Sequence, residues 1–477
     1  MNIYIRIEVL SRELQGRLLL ALVAAERGHR VVIGKHNAAR ILGTEGFPGY
    51  PPGLFHDKSL GYDDPKTDMK KALMARGWGL TAQDEEHGLV TEVFGEGILD
   101  RFPDEGFEYN HLLFAWGDFD SVALHSLRPE RRDQILATGS PRVDLWRRDL
   151  ADVHGREQVH QVTAGRPFVL INPIGGWTPG EPENVFGLDG TSGDEDRIRR
   201  LSQRLTLMSR FVAAADALAR EHPELLFVLR PHPGAPLDIW AKAADRCGQN
   251  VIVSREARLT PWLHEARAVV TNGSTVAFEA LLVGTPHITF APDGHLEYSA
   301  VTHRLGRLAR DTDELSEAIR DASDEAARRD WFDSQMIEAV QHRFAALDGR
   351  LAADRIVDEW ERLDERLGLS SAEPWNQRVL AARRSPSVHS FRASINRLRA
   401  TSTRGTARES EEDTDSSPTQ PVSRWTHRRA AFHEKFPALD MDDILAFHGG
   451  LTRATGRFSN VRLQLQHDRL LLVTREG

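Results

Sequence analysis

Residues 2–10 alternate between apolar and polar positions, with Ile3, Ile5, Ile7 and Val9 on one side and Tyr4, Arg6 and Glu8 on the other, which predicts a strand. Ser11 suits an N-cap for a helix over 12–27, in which Leu14, Leu18, Leu22 and Ala25 recur at helical spacing. Gly28-His29 ends that helix, and 30–34 reads as the next strand. A β-α-β opening of this kind predicts a doubly wound, mostly parallel sheet. Further strands are expected at 53–57, 78–82, 111–117 and 134–138, with helices at 68–76 and 118–127. A turn at 139–144 and a polar run over 149–165 mark a domain boundary.

A second series then begins. The continuous apolar run 167–172 reads as a buried parallel strand, followed by a Gly- and Pro-rich loop to Asp194 in which Gly175-Gly176 would allow a ligand close approach. A helix over 199–221, strands at 225–230 and 250–253, and a short helix at 259–265 come next. The stretch 268–292 reads as strand, small polar turn, helix from near Ser274, and strand. Residues 311–326 and 331–363 are helical, the latter long enough to cross back over the first domain. Beyond Leu369 the composition changes: 383–408 is basic and rich in Ser and Thr, 409–415 is acidic, and Pro418 and Pro421 follow, which predicts a disordered linker. Residues 432–477 look ordered again, with 441–448 helical and 461–473 strand-like. The expected domains are 1–155, 156–370, a linker over 380–425 and a small appendage over 426–477 of unassigned role.

Composition narrows the function classes. A chain of 477 residues exceeds one compact core, and a net charge of −9 offers no global basic field for nucleic acid. The single Cys247 excludes an intrachain disulfide and fits a reducing compartment. No window approaches the roughly 20 apolar residues that span a bilayer. Arg6, Glu8, Arg12 and Glu13 interrupt what a signal peptide would keep apolar. A cytoplasmic protein is therefore expected. The basic tract could hold it peripherally to the anionic inner membrane, although a solvated tether explains that tract more simply.

Four groups of residues carry candidate chemistry. The turn Thr271-Asn272-Gly273-Ser274-Thr275 has no bulky side chain, so the first amides of the following helix are open to an anion such as phosphate. An ordinary capped crossover, with Ser274 or Thr275 as N-cap and Gly284 at the end, explains the same residues. Arg230 and His232 sit just past a strand's carboxyl end, where open sheets place ligands, and the flanking Pro231 and Pro233 would aim the imidazole. Arg6, Glu8 and Arg12 occupy the corresponding end of the first strand, as acceptor-side candidates or as a surface salt-bridge cluster. Asp84, Glu85 and Glu86 are adjacent carboxylates that raise one another's pKa, as a general base near neutrality requires; a solvated acidic loop is the plainer reading. A metal site from Asp84, Glu85 and His87 is weak because neighbours on a strand point to opposite faces. The spacing of Asp118-Phe119-Asp120 suits a helix cap better than a cation, so no metal is expected.

Two consecutive α/β series with sites on facing strand ends suggest two facing Rossmann-like domains, the GT-B architecture of many glycosyltransferases. The chain resembles the bacterial surface carbohydrate biosynthesis proteins through IEVLSRELQGRLLLALVAAERGHRVVIG (7–34), QDEEHGL (83–89), WGDFD (116–120), TGSPRVDL (138–145), LRPHP (229–233) and NGSTVAFEALLVGTP (272–286). The resemblance covers nearly all of 1–365 and nothing after about 380. A remoter similarity links DEEHG, HP and ST to the acidic, His-Pro and Ser-Ser/Thr motifs of bacterial sialyltransferases and transferases of 3-deoxy-octulosonate sugars. It implies that Asp84 or Glu85 activates the acceptor while His232, Ser274 and Thr275 hold the phosphate of a CMP-sugar; His87 before Gly88 departs from that pattern and leaves the choice among the carboxylates open. Relatives that use UDP-sugars imply that Glu279 binds a ribose. The implied activity is a metal-independent glycosyltransferase without a cofactor, moving a sugar from a nucleotide-sugar co-substrate, CMP ahead of UDP, to a saccharide or glycolipid acceptor. The alternatives are a nucleotide-sugar epimerase, a teichoic-acid-type polyol-phosphate transferase, and a noncatalytic scaffold in envelope assembly.

Overall fold

The computed structural model describes residues 1–35, 52–60, 64–85, 102–173, 195–232, 235–294, 300–332, 334–371, 438–467 and 470–476. The expected linker, Glu86 to Gly88 and the loop after Pro173 lie outside these residues. Among the described residues, no helix is long and apolar enough to cross a membrane.

The first sheet contains β1 (Asn2–Ile7), β2 (Arg30–Lys35), β3 (Leu54–Asp57), β4 (Gly79–Ala82), β5 (Leu112–Ala115) and β6 (Ile135–Ala137), all parallel, in the spatial order β2-β1-β3-β4-β5-β6. Because β1 pairs with β2 on one side and β3 on the other, the strand order reverses at β1/β3. The second sheet contains β7 (Phe168–Ile171), β8 (Leu226–Leu229), β9 (Val251–Val253), β10 (Ala268–Thr271), β11 (His287–Phe290) and β12 (Arg307–Ala309). Its order, β12-β11-β10-β7-β8-β9, is the Rossmann order read from the far edge, with the reversal at β7/β10. The α/β class with two Rossmann-like domains, the GT-B arrangement expected from the chain's two series, is thus what its two sheets form.

The first helix runs Leu10–Glu26 and is capped differently from expectation: Val9 is the N-cap, and Ser11 lies inside the first turn. The Glu13 carboxylate instead reaches back to accept the Glu8 N–H at 2.8 Å. The long helix expected over 331–363 is broken into Ser334–Arg343 and Ala352–Leu367, with Ala346 and Gly349 at positive φ in the turn between. The second of these helices returns to the first domain, where Ile356, Val357, Trp360 and Leu363 enter the core formed with Leu14, Leu18 and Leu22. Its start is fixed by Asp144, whose carboxylate accepts the N–H groups of Ala352 and Ala353 at 2.8 and 3.0 Å.

The described part of the small C-terminal appendage expected over 426–477 adds two strands to the first sheet. β14 (Leu470–Arg475) pairs antiparallel with β2, from Leu470 opposite Gly34 to Val473 opposite Val31, and β13 (Val461–His467) closes a hairpin on its outer side. The physical reason is that β2 would otherwise be an edge with unpaired N–H and C=O groups. A strand more than four hundred residues away supplies the partners, a pairing that no local pattern announces. The helix Met441–Thr455 buries Ile444, Phe447 and Leu451 in the same core as Leu150 and Val153.

Candidate functional site

Open α/β sheets take ligands in the crevice outside the carboxyl ends of their strands where the order reverses. In the first sheet that point lies between the ends of β1 and β3, and it is occupied by a buried charge network. Arg6, the last residue but one of β1, donates to Asp57 at 2.8 Å, and both are fully buried. Lys70 approaches the other Asp57 oxygen at 3.3 Å and donates to the Ser59 carbonyl at 2.8 Å. These cations hold the Asp57 carboxyl well below its usual range, against the opposing effect of burial. Lys58 then pairs with Glu8 at 2.7 Å and lies 3.9 Å from Glu13.

The first turns of the Leu10–Glu26 helix point Glu13 and Arg17, one helical turn apart, into this point. Arg17 pairs with Glu85 at 2.7 Å, donates to the Gln83 carbonyl at 3.3 Å, and contacts the buried His56. Burial raises the pKa of Glu13, and the nearby Glu85 charge raises it further, against Lys58, the Glu8 amide and Arg12. The sequence singles out Asp84, Glu85 and Glu86 but not Glu13 and Arg17; the signal for the latter is two charged residues at i,i+4 on an otherwise apolar helix face. Asp84 is buried, and its carbonyl accepts the Trp116 indole N–H at 2.7 Å. Asp120 accepts the Trp116 main-chain N–H at 3.3 Å, acting within its own helix entrance.

In the second sheet, the reversal at β7/β10 places Asn272 to Thr275 at the switch point. Asn272 is fully buried and donates its side-chain amide to the Phe290 carbonyl at 2.7 Å, which ties the turn to the end of β11. Gly273 has φ 78°, a conformation disfavoured for any residue with a Cβ, and its carbonyl accepts the Thr302 hydroxyl at 3.0 Å. The helix Val276–Val283 begins with Thr275 as N-cap and no side-chain capping bond, while the Ser274 hydroxyl accepts the Val276 N–H at 3.3 Å. Among the described residues, the amides of Gly273, Ser274 and Thr275 donate to no backbone carbonyl. This is a helix start open toward the crevice.

β8 and β10 flank β7 on either side, so the segment carrying His232 and the Asn272 to Thr275 turn leave the same edge of the sheet, one strand apart. The Arg230 guanidinium donates to the Glu256 and Ala257 carbonyls at 2.9 and 2.7 Å, and burial lowers its pKa to about 10. Arg230 therefore fixes the loop 254–258 beside His232. Burial lowers the His232 pKa, and the charges of Arg12 and Arg255 lower it further. Glu279, one turn into the helix, is buried and accepts the Thr260 hydroxyl at 2.5 Å; burial raises its pKa, while Arg142, Thr260 and Arg230 lower it.

Arg12 of the first domain lies near enough to His232, and Arg142 near enough to Glu279, for their charges to act across the two domains. Arg142 follows Ser140-Pro141 and donates to the Glu85 carbonyl at 3.3 Å. It can sit there because Gly16 lets the first helix approach closely: a Cβ at Gly16 would lie 3.1 Å from the Arg142 nitrogen. Arg142 thus links the Glu85 main chain of the first domain to the Glu279 helix of the second.

No family model matches the sequence, and no curated protein matches it. Solved structures similar to the chain include the UDP-GlcNAc 2-epimerase of Neisseria meningitidis bound to UDP-GlcNAc, at 12% identity and TM-score 0.45 over 76% of this chain and 100% of that one. The UDP-GlcNAc 2-epimerase of Methanocaldococcus jannaschii in complex with UDP-GlcNAc and UDP is similar at 13% identity and TM-score 0.46, over 76% of this chain and 100% of that one. The wall teichoic acid polymerase TagF is similar at 13% identity and TM-score 0.48, over 77% of this chain and 89% of that one. At these identities and scores, the activity has to be read from the chain's own residues.

Proposed function

We propose that the chain is a glycosyltransferase that moves a sugar from a nucleotide-sugar donor to a saccharide or glycolipid acceptor of the cell surface, with CMP ahead of UDP as the nucleotide. What supports this reading is the character of the two switch points, one bearing open amides with an imidazole on the neighbouring strand end, the other bearing buried carboxylates, with Arg142 bonded to the Glu85 carbonyl and acting on Glu279. The donor phosphate would rest on the amides of Gly273 to Thr275 and on His232, and Glu279 with Thr260 would face the ribose. As the acceptor oxygen bonds to the anomeric carbon, the bond from that carbon to the phosphate oxygen breaks and its electron pair stays on the phosphate. Preorganised donors are most effective against the charge that develops there.

The acceptor hydroxyl proton passes to a carboxylate of the first domain. Glu85 is already paired with Arg17 at 2.7 Å. That leaves Asp84 and Glu86 for the role, and the raised pKa of Glu13 makes it a nearby proton reservoir. An isomerisation of the donor sugar is the second reading, favoured by Glu13, whose raised pKa would suit a proton donor to the sugar carbon opposite a carboxylate base. Incubation with CMP- and UDP-sugars, with and without saccharide acceptor, separates the two. Nucleotide release that requires acceptor supports transfer; an isomerised donor formed without acceptor supports the second reading and removes the first.

A further inference from the structure

The C-terminal segment touches the two domains unequally. On the first domain it is anchored by the β14 to β2 ladder and by Arg457, which pairs with Glu26 at 2.6 Å and Asp354 at 2.8 Å. Gly450 packs so closely that a Cβ would lie 2.6 Å from the Val153 carbonyl oxygen. On the second domain its described ion pair is Asp443 with Arg258, at 2.7 Å, and the Asp443 side chain is 51% exposed. Asp443 is held in the first helical turn because Asp440 caps that helix, accepting the N–H groups of Asp442 and Asp443.

Arg258 is well placed to transmit this contact. Its other terminal nitrogen donates to the Ser11 carbonyl at 3.3 Å, so one guanidinium holds both the first domain's helix entrance and the C-terminal helix. It also ends the loop 254–258. Within that loop Arg255 donates to the His232 carbonyl at 3.3 Å, Arg230 holds Glu256 and Ala257, and Ala257 is kept at φ 56°, a left-handed conformation that a side chain resists. A shift of Arg258 therefore reaches His232 through four residues of tied main chain.

We propose that residues 438–467 with 470–476 form a latch, built firmly into the first domain and closing on the second through Asp443 and Arg258, that sets the position of the loop beside His232. A buried sheet ladder does not open alone, whereas an exposed ion pair shifts an equilibrium by about fivefold or less and is screened by salt. The weak half of the segment is thus the half that releases. The role stands independently of which nucleotide the cleft accepts, and it is read without one.

Hydrogen exchange on the full chain tests it, comparing the wild type with Asp443→Asn, Asp443→Arg and Asp443→Glu. Exchange at amides 255–262 is expected to rise about two- to fivefold in Asp443→Asn, more in Asp443→Arg, and little in Asp443→Glu, with protection over 470–475 unchanged. Salt should bring the wild type toward Asp443→Asn. Equal exchange at 255–262 in all four proteins overturns the latch, and so does a loss of protection that spreads to 470–475, because Asp443 would then stabilise the segment itself.

Discussion

Arg17 and Glu85 meet across 2.7 Å with side chains only 2% and 9% exposed, joining the first helix to the acidic loop after β4. Removing one partner of such a pair leaves a buried charge uncompensated, whereas removing both does not. Arg17→Met should therefore destabilise the protein by about 3–5 kcal/mol, and Arg17→Met with Glu85→Gln by clearly less. Urea denaturation of the single and double variants measures the difference. Equal losses in both would mean that the pair contributes packing only.

Gly16 sets the width of the same region. Its missing Cβ would lie 3.1 and 3.2 Å from the Arg142 nitrogen and Cα, both main-chain atoms that cannot swing aside. Gly16→Ala should cost about 1–3 kcal/mol through overpacking. If instead the variant is as stable as the wild type, the helix and the Pro141 turn are not in rigid contact. Thermal unfolding provides the comparison.

Asp144 gives a pH dependence of stability. Burial pushes its pKa from 3.8 up to about 7, although the amides of Ala352 and Ala353 and the Arg147 charge pull it down. A carboxyl whose folded pKa is raised binds its proton more tightly when folded, so its contribution is complete below 3.8 and is lost as pH rises toward about 7. Asp144→Asn does not titrate and forfeits one amide acceptor. Its stability deficit against the wild type should be larger at acidic than at neutral pH in urea titrations. A deficit that grows toward neutral pH would show that Asp144 is ionised throughout.

His232 should report the arrival of an anion. Burial, Arg12 and Arg255 lower its pKa, and a phosphate beside the ring opposes those charges. Its pKa, followed by NMR, is expected to move upward on nucleotide binding. A downward shift would place the phosphate elsewhere.

Much of this architecture is legible in the chain itself. The helices Asp118–Leu127 and Leu259–Glu265 and the strands β1 to β11 follow apolar periodicity, because each buries one face or both in a core that repeats the pattern, whereas the short, half-exposed β12 carries no such pattern. The turn at Gly273 is legible because positive φ and an open helix start both demand small residues. The partners of charged groups are not. Arg230 reads as an anion ligand from its strand-end position, yet its guanidinium meets two loop carbonyls that lie 26 and 27 residues further on. Glu13 and Arg17 disappear into an apolar helix, and the pairing of β14 with β2 depends on chain ends that only folding brings together.

The proposed function stands or falls on whether the Gly273 turn and His232 together form the anion half of a nucleotide-sugar site. Calorimetric titration of CMP, CDP, UDP and GDP into the wild type, His232→Ala and Gly273→Val decides it. CMP or UDP is expected to bind the wild type, each substitution to weaken that binding at least tenfold, and both variants to stay folded by circular dichroism. Binding of neither nucleotide to the wild type, or undiminished binding to folded His232→Ala and Gly273→Val, would contradict the assignment.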